Sequence, residues 1–188
     1  GQRTWRMVGD PTEGALVVAA AKAGLRAADL AKSLPRVAEV PFDSDRKRMT
    51  TVHRLADGDS ALVGLLPFNG SGRVAFTKGA ADGLLALSAR VWTGGRLEPL
   101  TDALQDRIRT VGDGLAQAGM RVLGIACRQL DTSHPAVDAE LLERDLTFVG
   151  LIGLMDPPRA AVRPAVAACK AAGIRPVMIT GDHPLTAA

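Results

Sequence analysis

The sequence has no tyrosine, two cysteines and, as its only aromatics, four phenylalanines and two tryptophans in 188 residues. So few rings exclude a single-strand nucleic-acid binder built on stacking platforms. Cys127 and Cys169 are isolated in apolar surroundings. They suggest a reducing compartment without a disulfide framework, and with His53, His134 and His183 scattered along the chain they give no zinc-ligand spacing. The longest nearly apolar run, Leu146 to Met155, is far short of the roughly 20 residues that cross a bilayer. Gly1 to Asp10 lacks the apolar core of a secretory signal. A Walker A loop, a dinucleotide Gly-x-Gly-x-x-Gly and a Ser/His/Asp set are all missing. Excess charge of one sign is missing too, with 23 Lys+Arg against 20 Asp+Glu and a net charge of +3. The pI of 9.2 follows from how little titrates between neutrality and the lysines, so it does not mark a nucleic-acid patch.

What remains is 47% hydrophobic and 23% charged residues, the composition of one or two globular units. A chain of this length buries roughly 70% of its unfolded surface and needs no staple to fold. Asp10 as N-cap, Pro11 and Glu13, which completes a capping box, predict a helix start, with Leu16, Val17, Ala20 and Ala21 on one face and Gly24 as the stop. A second short helix runs from Arg26 to Leu34, ahead of Pro35. From Arg36 the period changes, predicting strands over Val37 to Phe42, Met49 to Leu55 and Ala61 to Leu66, the last two joined at Asp57-Gly58. A loop over Pro67 to Gly72 precedes a strand over Arg73 to Thr77, then Lys78-Gly79-Ala80 and a short helix to about Ser88. A small hairpin turns at Gly94-Gly95, a helix covers Thr101 to Ala118, and an apolar strand covers Arg121 to Arg128. After a polar stretch and a short helix, Leu146 to Met155 reads as a buried strand ended by Asp156-Pro157-Pro158, a candidate hinge. Ala160 to Ala172 then reads as a helix and Pro176 to Ile179 as a strand, with Thr180-Gly181-Asp182 opening into a further helix, a parallel α/β pattern. The expected fold is α+β, an antiparallel sheet flanked by helices and followed by a partial parallel segment. Its truncation at the start of a helix suggests a piece of something larger. Residues 146–188, without their sheet neighbours, are expected to exchange amide hydrogens faster than residues 36–128.

Phe42-Asp43-Ser44-Asp45-Arg46-Lys47-Arg48 is the densest polar cluster, with a net charge of +1. A ring followed by Ser, Arg and Lys suits a nucleotide, the ring on the base and the cations on phosphates; a solvated turn between two strands accounts for it equally. Lys78-Gly79-Ala80 places a cation and a glycine where a strand gives way to a helix, fit either for a ligand's close approach or for an ordinary strand exit. Arg121 is a phosphate ligand or a surface residue opening a strand. Glu13 is explained by its capping box, and reaches an adenine amino group only if that box is loosened. Thr180-Gly181-Asp182, at the end of an apolar parallel strand, is where α/β folds place ligands, or a tight turn.

In order, Gly9-Asp10-Pro11-Thr12-Glu13-Gly14-Ala15-Leu16, Pro41-Phe42-Asp43-Ser44-Asp45-Arg46-Lys47-Arg48-Met49, Lys78-Gly79-Ala80, Arg121-Val122-Leu123, Asp156-Pro157-Pro158-Arg159 and Thr180-Gly181-Asp182 resemble the cytoplasmic nucleotide-binding domain of P-type cation-transporting ATPases. The first two motifs look like the type II branch, nearest to calcium pumps. The resemblance implies a nucleotide-binding domain over residues 1–155, with its N-terminal portion missing, and the start of a haloacid-dehalogenase-like phosphorylation domain over residues 156–188. It implies that Phe42 stacks on adenine, that Glu13 lies near the adenine amino group, that Ser44, Lys47, Lys78, Gly79 and Ala80 line the pocket, and that Arg121 reaches the phosphates. Thr180, Gly181 and Asp182 would belong to the phosphorylation domain's phosphate site. The implied ligands are ATP or ADP, with Mg2+ in the intact protein. The implied partners are the phosphorylation, actuator and transmembrane domains of one polypeptide at the cytoplasmic face of a membrane, with no nucleic acid and no insertion by this piece.

Two departures qualify the match. Ala81-Asp82 replaces the common Pro-Glu after Lys-Gly-Ala. There is no Asp-Lys-Thr-Gly-Thr and no Gly-Asp-Gly-x-Asn-Asp, so the aspartate that takes the γ-phosphate and the magnesium motif are absent, and phosphoryl transfer needs both. The expected function is therefore nucleotide binding by part of a cation pump, with calcium as the leaning. The alternatives are a stand-alone module derived from a pump and, disfavoured by the missing nucleophilic aspartate, a haloacid-dehalogenase-like phosphatase.

Overall fold

The computed structural model of the chain describes residues 8–55, 66–68, 72–131, 138–156 and 159–177. Asp57-Gly58, nearly all of the strand expected over Ala61 to Leu66, and Thr180-Gly181-Asp182 lie outside these residues. The first helix is α1 (Pro11–Lys22), followed by α2 (Ala27–Ser33), β1 (Arg36–Asp43), β2 (Arg48–Leu55), β3 (Gly72–Gly79), α3 (Ala81–Ala86), the hairpin β4 (Ser88–Thr93) and β5 (Arg96–Pro99), α4 (Asp102–Gln117), β6 (Arg121–Leu130), α5 (Ala139–Leu142), β7 (Leu146–Leu154) and α6 (Val162–Ala171).

Among the described residues the seven strands form one sheet in the order β1-β2-β3-β6-β7-β4-β5. Neighbours are antiparallel, as alternation and turn chemistry lead one to expect, except that β4 runs parallel to β7. The chain between these two strands passes through α4, β6 and α5, long enough for the crossover that a parallel pair requires. β7 thus lies inside the sheet, with Leu146 and Phe148 buried. Fast exchange from Leu146 onward therefore does not fit the central place of β7 in the sheet, while α6, beyond it, buries no residue. Pro176 and Val177 carry no strand.

Register assigns the faces. Val40, Thr50, Thr77 and Ala126 share one row across β1, β2, β3 and β6, and on their side Val52, Ala75, Leu130 and Leu142 make one core cluster. Leu84 and Leu85 of α3 join Ala126, Leu146 and Phe148 in another. A Cβ at Gly124 would stand 3.0 Å from Ala81 Cα and 3.3 Å from the Phe148 ring, so only glycine lets α3 sit this close to β6. On the opposite face Val74 and Cys127 meet Leu55, with Leu34 and Phe76 against them. Burial pushes the Cys127 thiol up to about 12, leaving an inert core residue.

The helix α1 buries no residue. Leu16 and Ala20 of its expected apolar face are half-covered, while Val17 is 55% exposed.

Candidate functional site

Chain direction brings the sequence candidates to one end of the sheet. β1 ends at Asp43 and β2 begins at Arg48, with a tight turn between them, while β3 ends and β6 begins at the same edge: Arg48 pairs with Gly79, and Gly79 with Gly124. Arg121 lies three residues nearer the start of β6, about 10 Å further along the strand.

The turn is held from inside. Asp43 Oδ1 accepts from the Asp45 and Arg46 amides, both at 2.9 Å, an Asx-type arrangement. The Arg46 amide, above all, holds the Asp43 carboxyl below its ordinary value. Lys47 adopts φ 52°; its amide donates to Asp43 O at 2.7 Å and its carbonyl accepts from the Ala80 amide at 3.0 Å. A Cβ at Gly79 would stand 2.5 Å from both Lys47 O and Arg48 Cβ. Gly79 is therefore the residue that lets β3 pass beneath the turn, a packing role distinct from ligand approach. Around this frame Phe42 is 64% exposed, and Ser44 and Lys47 are exposed. Phe42 thus stands in water on the edge strand β1, beside the exposed Lys47.

The first turn of α1 lies over the neighbouring strands. Asp10 caps the helix, Oδ1 accepting from Thr12 N at 2.7 Å and Glu13 N at 3.2 Å. The Glu13 amide, the Thr12 contacts and the charge of Arg121 hold the Asp10 carboxyl below its ordinary value. Glu13 does not close the expected capping box: its carboxylate turns to Lys78 Nζ on β3. Arg121 Nη1 donates to Thr12 Oγ1 at 3.3 Å. Three of the expected residues, Glu13, Lys78 and Arg121, are thus joined through one helical turn. The wider capping signal concealed this, because an N3 glutamate looks the same whether it serves its own helix or reaches a strand. Lys78 lies within β3, and its partner is Glu13 rather than the N-terminus of α3.

The largest polar feature near the turn was not expected from sequence. Glu143, just past α5, is buried with a side chain 1% exposed, and accepts from Arg46 Nη1 at 2.6 Å and Arg48 Nε at 2.6 Å. Thr50 Oγ1 donates to it at 2.9 Å, so the Thr77 hydroxyl, 2.9 Å from Thr50 Oγ1, donates to Thr50. Burial pushes the Glu143 carboxyl up, but the bonds from Arg46, Arg48 and Thr50 outweigh it and leave the group below its ordinary value. The available sequence signal was the row Arg46-Lys47-Arg48, in which the two arginines share a side with Thr50 and so call for a buried anion.

No three carboxylate, imidazole or thiol groups gather around a metal position among the described residues. The carboxylates at this end of the sheet are engaged within the fold, Asp10 and Asp43 by backbone amides, Glu13 by Lys78 and Glu143 by two arginines. Both nitrogens of His53 are engaged, at 2.8 Å from Leu34 O and 3.0 Å from Thr51 Oγ1. A cavity of about 400 Å³ lined by Arg90, Arg128 and Thr147 lies near the opposite end of β6, away from these residues.

Known proteins resemble this chain over most of its length. The family described as P-type ATPase, cytoplasmic domain N, matches residues 1–161. Calcium-transporting ATPase 1 of Bacillus cereus is 40% identical over 179 residues, covering 95% of this chain and 18% of that protein. Cation-transporting ATPase pma1 of Synechocystis sp. is 40% identical over 184 residues, covering 97% of this chain and 18% of its own length. Calcium-transporting ATPase 1 of Lactococcus lactis is 35% identical over 182 residues, or 97% and 19%. The chain thus spans about a fifth of the length of these relatives, each named for moving cations. No described helix is long and apolar enough to cross a membrane. With the family model matching residues 1–161 and relatives 35% to 40% identical along nearly the whole chain, the chain belongs to the cytoplasmic N-domain family of P-type ATPases.

Proposed function

We propose that this chain binds an adenine nucleotide at the end of the sheet formed by the β1-β2 turn, β3, the start of β6 and the first turn of α1. The observation that carries the reading is the junction of Glu13 with Lys78 and of Thr12 with Arg121, beside the exposed Phe42 ring. In this reading Phe42 stacks on adenine, Glu13 meets its amino group, Ser44, Lys47, Lys78, Gly79 and Ala80 line the pocket, and Arg121 faces the phosphates. In this reading Lys78, 20% exposed, exchanges the half-exposed Glu13 carboxylate for a phosphate, one anion for another.

The proposal extends to the longer polypeptide. Residues 1–155 act as the nucleotide-binding unit, and residues 156–188, with Thr180, Gly181 and Asp182, begin the phosphorylation domain. There an aspartate outside this sequence accepts the γ-phosphate, Mg2+ is held by residues elsewhere, and the chemistry drives transport of a cation, calcium by its relatives. Calorimetric titration with ATP tests the binding claim. Saturable heat in the millimolar range is expected, and Phe42→Ala should weaken it about fivefold to a hundredfold, the loss of about 1–3 kcal/mol of base stacking. No saturable signal at millimolar ATP, or equal binding by Phe42→Ala, sinks the reading.

A further inference from the structure

Glu143 is none of the residues assigned to meet the nucleotide, yet the segment that carries Phe42, Ser44 and Lys47 is tied to it. Arg46 Nη1 meets both carboxylate oxygens, at 2.6 and 2.7 Å, while Nη2 donates to Pro41 O at 2.9 Å. One guanidinium therefore brackets Phe42 from both sides of the turn. Arg48 Nε reaches Glu143 Oε2 at 2.6 Å and its Nη1 returns to Arg46 O at 3.1 Å. The anion is itself held rigidly: Arg128 Nη1 donates to the carbonyls of Leu141 at 2.6 Å and Arg144 at 2.9 Å, on either side of Glu143, and Leu142 is fully buried. The support thus runs from β6 through Arg128 to the α5-β7 connection, through Glu143 to Arg46 and Arg48, and from them to the turn whose Lys47 stands at φ 52°.

We infer that Glu143 is a positioning residue for nucleotide binding: by clamping Arg46 and Arg48 it fixes the geometry in which Phe42 and Lys47 meet the base and phosphates. The inference rests on the nucleotide reading above. It also differs in sign from an electrostatic effect. Removing a carboxylate near a polyanion's site strengthens binding if only charge matters, but weakens it if the turn loses its shape.

The test is titration of the full chain and its Glu143→Gln variant with ATP and with uncharged adenosine, alongside amide exchange of residues 43–48. Binding of both ligands is expected to fall about tenfold in the variant, the scale on which losing a supporting partner weakens the group it holds, and the turn amides are expected to lose protection. Glu143→Asp, which keeps the charge, should recover part of the loss. Should Glu143→Gln not fold, Arg48→Gln, which leaves Arg46 and Thr50 on Glu143, is expected to weaken adenosine in the same direction. Wild-type adenosine affinity in the folded variant, tighter ATP binding, or a loosened turn with unchanged affinity overturns the positioning role alone. Absence of nucleotide binding by the unaltered chain overturns the nucleotide reading, and the positioning role with it.

Discussion

Lys47 shows how a single residue divides between stability and function. Its φ of 52° costs a side-chain-bearing residue about 1 kcal/mol relative to glycine, and the surrounding bonds hold it there. Lys47→Gly is therefore expected to leave the thermal midpoint unchanged or slightly raised while lowering ATP affinity, a separation that melting curves and titration of one sample will show. Gly79 is the converse. With 2.5 Å between a new Cβ and both Lys47 O and Arg48 Cβ, Gly79→Ala must displace the turn backbone, and a loss of about 1–3 kcal/mol in urea unfolding is expected, with binding lost alongside. The two cysteines give a third reading at this scale. Cys127 is buried, its thiol pushed up to about 12, whereas Cys169 is half-buried on α6. Iodoacetamide at pH 8 is expected to modify Cys169 well ahead of Cys127 in the folded chain, and both alike in denaturant.

Among the elements, the helices differ in how much they owe to packing. α3 inserts Leu84 and Leu85 into the core, while α1 and α6 bury no residue. Asp10→Ala removes two cap bonds, worth about 1 kcal/mol. Because α1 contributes no buried side chain, that loss is expected to appear as faster amide exchange over residues 12–22 with the global midpoint nearly unchanged; an equal drop in global stability would show α1 to be integral to the core. The seven described strands and α4 were legible in the sequence because alternation, turn residues and glycine stops act within a few residues, whereas the strand expected from Pro176 does not form at Pro176 or Val177. Thr101, expected as the first residue of this helix, is its cap, accepting from the Leu104 amide at 3.4 Å. The parallel β4-β7 pair and the exposure of Val17 were not, since both depend on which distant element arrives alongside. The site was legible in the same uneven way. Phe42, Lys78 and Arg121 could be named from motifs, but the Glu143 clamp joins residues more than ninety positions apart, and no local pattern records such a partner.

In the whole molecule, the sheet is the frame, and its charged end is the site proposed for the nucleotide. Acid sensitivity should follow from Glu143. Its carboxyl lies below its ordinary value of 4.5 in the fold, so the unfolded chain binds the proton first as pH falls. The stabilisation is fully present above pH 4.5 and disappears as pH drops through the folded value. Urea midpoints should fall less steeply below that pH in Glu143→Gln than in the unaltered chain; parallel acid limbs would remove Glu143 as the cause. The matched region is about a fifth of the length of its relatives, which are named for transporting cations, and the contribution proposed for it is to hold a nucleotide. The most direct test of that claim is mapping amide chemical shifts during an ATP titration. The account requires saturable changes concentrated at Gly9 to Glu13, Phe42 to Arg48, Lys78 to Ala80 and Arg121. Changes absent at millimolar ATP, or centred on the Arg90–Arg128 cavity at the other end of the sheet, would contradict it.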